Sequence, residues 1–209
     1  MSLHLEVLDD QARRALDAHS FAAAAEGFHL AGGTALALQL GHRRSVDFDW
    51  FRESEFDPLA LARLFSSRGV PFVAESTARS TLHGRVAGTR VSFIEFRYPL
   101  LEAPLDGGLG FQLARPLDIG AMKLSAVAQR GARKDFFDLV ALGRAGFDLR
   151  SLIAAYQRRF AVRDLAHVLT ALTYFDDAER DNEPILESSE DWAGVKATIR
   201  AWVRTLAGS

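Results

Sequence analysis

The chain has 209 residues, 48% of them hydrophobic and 25% charged, with a formal net charge of −2. That is enough to bury a sizeable core in one domain or two, and the near-neutral balance excludes a global basic field for nucleic acid while leaving room for a local patch. The absence of cysteine excludes disulfides and thiolate metal sites, the acidic N-terminus lacks the regions of a signal peptide, and no apolar run approaches the ~18 residues of a membrane span, so a soluble cytoplasmic protein with no membrane partner is expected.

Val7, Leu8, Ala12, Ala15, Leu16 and Phe21 recur at helical spacing and predict an amphipathic helix over 7–25. Phe28 to Ala31 reads as a short strand. Gly32-Gly33 then breaks the chain, Thr34 to Leu40 opens a helix, and Gly41 stops it. Val46 to Phe51 alternates acidic and apolar residues, the period of a strand. Asp57-Pro58 supplies an N-cap and a first-turn proline for a helix to about Arg68. Strand-like stretches follow at 71–75, 81–87 and 89–96, the last two flanking Gly88 as a hairpin. Residues 99–116, rich in Gly, Pro and Leu, read as a connector. From Pro116 helical patterns occupy about 117–130, 133–144, 149–159, 163–175 and 190–206, and the acidic 176–184 segment reads as a solvated turn. The expected fold class is α+β: a small mixed sheet with helices in a 1–100 core, then a helical C-terminal lobe over 101–209 that completes a cleft.

The strand, Gly-Gly, helix and two-carboxylate strand imply chemistry when taken in space. Glycines let a ligand approach the backbone, and the following helix aims its free N–H groups and positive end at the turn, where phosphate binds well. Asp47 and Asp49, two apart on a strand, leave the same face, with Phe48 on the other. Two close carboxylates repel unless a cation lies between them, and oxygen ligands suit Mg²⁺ shared with substrate phosphates. Either feature alone is as well an ordinary turn or an exposed strand. Glu95, the one acid in the apolar 91–96 stretch, is the candidate third metal ligand; an edge-strand Glu facing water is the alternative.

A second set lies in 118–139. On one continuous helix Lys123, Arg130 and Lys134 share a face that Asp138 continues, and such a row would hold a triphosphate and offset its charge. The alternative is a surface face with ion pairs such as Lys134–Asp138.

Gly32-Gly33-Thr34-Ala35-Leu36, followed by Gly41-His42-Arg43-Arg44-Ser45-Val46-Asp47-Phe48-Asp49, resembles the AbiEii/AbiGii-type nucleotidyltransferase family of the DNA polymerase β-like superfamily. So does Lys123-Leu124-Ser125-Ala126 with Arg130-Gly131-Ala132-Arg133-Lys134-Asp135-Phe136-Phe137-Asp138-Leu139. The resemblance covers about 1–145. It implies that Gly32 and Gly33 grip phosphate, with Thr34 and Ser45 in the same nucleotide-binding set, and that Asp47 and Asp49 hold metal. Lys123 matches a helical lysine on nucleotide phosphates, and Arg130, Lys134, Asp135 and Asp138 the rest of that motif. Family members include toxins of type IV toxin–antitoxin and phage abortive-infection systems, thought to transfer nucleotides to RNA such as tRNA, with some relatives modifying protein.

The reading is therefore a Mg²⁺-dependent nucleotidyltransferase moving NMP from NTP to RNA or protein, with Asp47, Asp49 and Lys123 catalytic and a cognate antitoxin as a further partner. Its alternatives are a non-catalytic module on the same fold that binds nucleotide or antitoxin, and an unrelated α+β protein with structural aspartates.

Overall fold

The structure is a computed structural model and describes residues 3–187 and 190–208. The chain divides into two compact units, Met1–Arg115 and Pro116–Ser209.

Unit 1 is built on one sheet. Its helices are α1 (Asp10–Ala25), α2 (Gly32–Leu40) and α3 (Pro58–Ser67). Its strands are β1 (His29–Ala31), β2 (Phe48–Arg52), β3 (Phe72–Ala78), β4 (Thr81–Val86), β5 (Thr89–Glu95), β6 (Leu105–Asp106) and β7 (Gln112–Leu113). Local chemistry sets the ends: Asp9 caps α1 through Ala12 N at 2.7 Å, Asp57 caps α3 through Leu59 N at 2.8 Å, and Gly41 closes α2 in the left-handed region at φ 65°.

The strands run in the order β3-β4-β5-β2-β1-β7-β6. β2 lies antiparallel to β1 and parallel to β5, and β7 lies parallel to β1, so the sheet is mixed as expected. The expected domain boundary near residue 100 falls inside unit 1, because β6 and β7 fill the outer edge of β1. Gln39 Nε2 secures that edge by donating to Ala114 O at 3.0 Å. Two-residue strands have no alternation to read, so the sequence of 99–116 reads as a connector.

Period two divides β2 between two faces. Phe48 and Trp50, both fully buried, join Leu30, Phe93 and Leu82 on the face covered by α1 and α3. Trp50 stacks on Phe93 with centroids 6.4 Å apart, and Phe65 of α3 meets Phe93 at 5.8 Å. His19 of α1 is buried there: its Nε2 accepts from Trp50 Nε1 at 2.9 Å, and its Nδ1 pairs with Ala15 O. Asp49, Phe51, Ser92 and Ile94 take the other face.

Unit 2 is helical: α4 (Pro116–Arg130), α5 (Arg133–Arg144), α6 (Leu149–Phe160), α7 (Ala166–Thr173) and α8 (Trp192–Ala207). α4 packs on α5, α6 and α7. The 176–184 segment is largely exposed, as expected of a solvated turn, and it also makes contacts with α5. Arg133 N, in the first turn of α5, donates to Asp181 Oδ2 at 2.9 Å, and Arg133 Nε to Ala178 O at 2.9 Å, so the acidic segment caps a helix from a distance. Among the described residues no helix is long and apolar enough to cross a membrane.

Candidate active site

The glycine turn and the aspartate pair meet in unit 1. Ala31 is in register with Asp49, so the chain leaves β1 for α2 beside the start of β2. Gly32 sits at φ 68°, in the region that favours glycine, and a Cβ there would lie 3.3 Å from Asp49 Oδ2. At Gly33 a Cβ would run into the Arg43 guanidinium. Each glycine thus leaves room for one charged group, a carboxylate and a guanidinium.

Thr34, one position on, fixes the main chain before β2. Its Oγ1 donates to Asp47 O and lies 2.7 Å from Ser45 Oγ. In this structure, then, Thr34 and Ser45, expected among the nucleotide contacts, position the approach to Asp47. Asp47, just before β2, and Asp49, within it, are half-buried either side of the fully buried Phe48, and the strand alternation puts Asp49 on the face opposite Phe48.

Arg43 is one of three basic residues before the pair, His42, Arg43 and Arg44, for which the sequence leaves phosphate or nucleic-acid binding and a solvated loop about equally open. It is buried, and its NH1 donates to Arg44 O at 3.0 Å. Its signal was the run of alternate polar positions Arg43, Ser45, Asp47 and Asp49. A guanidinium at the positive end of a helix makes the glycine turn electropositive, and the two carboxylates beside it are the candidate cation ligands. A polyanion carrying a divalent cation matches both halves.

The donor set fits Mg²⁺. The candidate ligands are carboxylate oxygens alone, and among the described residues no group of three or more His, Cys, Asp or Glu could hold a metal. Two protein carboxylates, with water and substrate phosphate supplying the rest, is the usual Mg²⁺ pattern.

Glu95 is not a third ligand. It is in register with Arg52, three residues beyond Asp49 along the sheet, on the Trp50–Phe93 face. Its carboxylate accepts from Arg97 Nε at 2.6 Å, and that contact holds its pKa below the usual value. The β5 residue level with Asp49 is Ser92, which is buried.

The cationic row on one helix does not form either. Gly131, at φ 55°, separates α4 from α5, so Lys134 lies on a different helix from Lys123. The turn brings carboxylates to the lysine instead. Lys123 Nζ lies 2.8 Å from Asp135 Oδ1 and 2.5 Å from Asp138 Oδ2, with all three side chains buried. Arg130 Nε joins Asp135 Oδ2 at 3.0 Å from the solvent side. The motif residues Lys123, Arg130, Asp135 and Asp138 are thus an internal ion network of unit 2. Lys134 lines an open cavity of about 320 Å³ with Arg130, Asp181 and Asn182.

Comparisons with known proteins agree with this architecture. A family model described as nucleotidyl transferase AbiEii toxin, type IV toxin–antitoxin system, matches residues 84–202. That span holds the Lys123–Asp138 motif and begins after the Gly32–Asp49 segment. An uncharacterized protein of Aquifex aeolicus (strain VF5) is 40% identical over 174 residues, 79% of this chain and 84% of its own. A crystal structure of a candidate nucleotidyltransferase from Helicobacter pylori shares the fold at a TM-score of 0.56 and 18% identity, over 94% of this chain and 95% of its own. JHP933 from Helicobacter pylori does so at 0.54 and 17%, over 96% of this chain and 95% of its own.

Proposed function

The chain belongs to the AbiEii nucleotidyl transferase toxin family of type IV toxin–antitoxin systems, and on that premise we propose that it moves NMP from an NTP to an acceptor hydroxyl with Mg²⁺ at Asp47 and Asp49. The observation that carries the reading is the meeting of the Gly32-Gly33 turn with the Asp49 carboxylate, 3.3 Å from where a Cβ on Gly32 would stand. Backbone N–H groups at the start of α2 and the Arg43 guanidinium seat the β- and γ-phosphates. Asp47, held through Thr34, and Asp49 take the cation side. Asp47 and Asp49 would hold Mg²⁺, which would offset triphosphate charge and lower the pKa of the acceptor hydroxyl. A P–O bond forms from the acceptor oxygen to the α-phosphorus, the bond to the pyrophosphate oxygen breaks, and the hydroxyl proton leaves to solvent. The acceptor is RNA, tRNA included, or protein, and a cognate antitoxin is the regulatory partner.

The test is incubation with each labelled NTP, Mg²⁺ and total cellular RNA and protein. The variant carrying Asp47→Ala and Asp49→Ala should lose labelling by about a thousandfold, equivalent to roughly 4 kcal/mol of barrier, with an unchanged circular dichroism spectrum. Labelling equal to the wild type overturns the assignment. Tight Mg²⁺·NTP binding with no pyrophosphate release under any acceptor would make the chain a nucleotide-binding module.

A further inference from the structure

The face of β2 that carries Asp49 continues into a row of aromatic rings. Phe51 shares that face, two residues along, and Ser92 and Ile94 take it on β5. The alternation persists past the end of β5. Phe96 N donates to Arg52 O at 2.8 Å, so the pairing with β2 carries on and Phe96 keeps the parity of Ser92 and Ile94. The Phe51 and Phe96 ring centroids are 5.7 Å apart at 71°, and those of Phe96 and Tyr98 are 5.2 Å apart at 57°. Exposure rises along the row, from buried Phe51 through half-buried Phe96 to Tyr98 at 45%. At ~3.3 Å per residue, Phe51 lies about 7 Å and Phe96 about 13 Å along the sheet from Asp49.

We infer that Phe96 and Tyr98 form a stacking platform for the terminal bases of a single-stranded nucleic-acid acceptor. The inference rests on the transfer reading above and narrows its acceptor. Direction is the first argument. β1 is antiparallel to β2, so the glycine turn beyond Ala31 lies on the Asp47 side of Asp49, and the rings lie on the other side. In an in-line displacement the attacking oxygen arrives opposite the leaving group. Pyrophosphate leaving towards the glycine turn therefore requires the acceptor to approach from the ring side.

Chemistry is the second argument. Every base offers a flat π-face, and stacking on aromatic side chains contributes about tenfold or more in affinity per base with little sequence preference. Charge does not supply the affinity at this spot. Arg97, beside Tyr98, is bound to Glu95 at 2.6 Å and to Glu55 at 3.0 Å, so the cations there are already neutralised. A protein hydroxyl brings no such π-face, so a protein acceptor is an outcome that counts against the inference.

The test uses the full chain with Mg²⁺, labelled NTP and total cellular RNA titrated by mass. Tyr98→Ala should raise the acceptor KM about tenfold and leave the NTP KM and kcat unchanged, while Tyr98→Phe and Tyr98→Trp keep wild-type values. In Tyr98→Trp the added fluorescence, taken as the difference from wild type, should fall on titration with a mixed-sequence single-stranded oligoribonucleotide. An unchanged acceptor KM in Tyr98→Ala overturns the platform, a rise in NTP KM moves it to the donor base, and labelled protein with RNA unlabelled removes its ligand. A wild type that labels nothing with any NTP overturns the transfer reading itself. The fluorescence titration then still decides the platform, quenching supporting base binding and its absence overturning it.

Discussion

His19 shows how a single side chain ties the sheet core to solution conditions. It is enclosed between α1 and the Phe48–Trp50 face, and burial lowers its pKa from 6.5 to about 4. Both ring nitrogens are used in the neutral form, with Nε2 accepting from Trp50 and Nδ1 donating to Ala15 O. The unfolded chain takes up this proton near pH 6.5 and the folded chain only near pH 4. The stability at stake is therefore complete above about pH 6.5 and is lost progressively as pH falls towards 4, in total about 3 kcal/mol. Urea unfolding at pH 7 and pH 5 should differ by about 2 kcal/mol from this residue, and His19→Leu should flatten that slope. An equal slope in the variant sinks the assignment. Nothing in the spacing of His19 marks it among six histidines. Its environment comes from α1 meeting a distant strand, which periodicity reports only as a helix face.

The helices and longer strands follow patterns in the sequence, and the errors lie where pairing or breaks decide. α4 ends at Arg130 and α5 begins at Arg133, as the patterns over 117–130 and 133–144 expect, and Asp57-Pro58 opens α3. A face drawn over 118–139 as one helix fails because left-handed Gly131 turns the chain. A glycine can be tolerated in a helix or can end one, and packing chooses between them. Glu95 failed for a related reason: its residue type suited a metal, and only the register Asp49↔Ser92 reveals the wrong face. The same turn at Gly131 creates the Lys123 network, in which one lysine answers two buried aspartates. Truncating it leaves buried charge uncompensated, so Lys123→Ala should cost about 3–5 kcal/mol in chemical denaturation. Stability within about 1 kcal/mol of wild type, with transfer alone reduced, would restore the phosphate contact that the sequence suggested.

At the scale of the whole molecule, a net charge of −2 cannot gather an NTP by its general field, so binding depends on local arrangement. The site joins an electropositive glycine turn, with Arg43 against Gly33, to a carboxylate pair that repels anions. A bare triphosphate meets that repulsion, and a bare divalent cation finds only two protein carboxylates. The complex of the two satisfies both halves, so binding should be strongly synergistic. Mg²⁺·NTP at 100 times its Kd should stabilise the fold by about 2.7 kcal/mol, raising the melting midpoint by about 5–10 °C. Each component alone at the same concentration should shift it by less than about 1 °C, and Asp49→Asn should abolish the joint shift. A full shift with NTP and EDTA would mean that the carboxylates do not share the nucleotide's cation. The metal-centred chemistry would then have to leave Asp47 and Asp49, although the fold around them stayed the same.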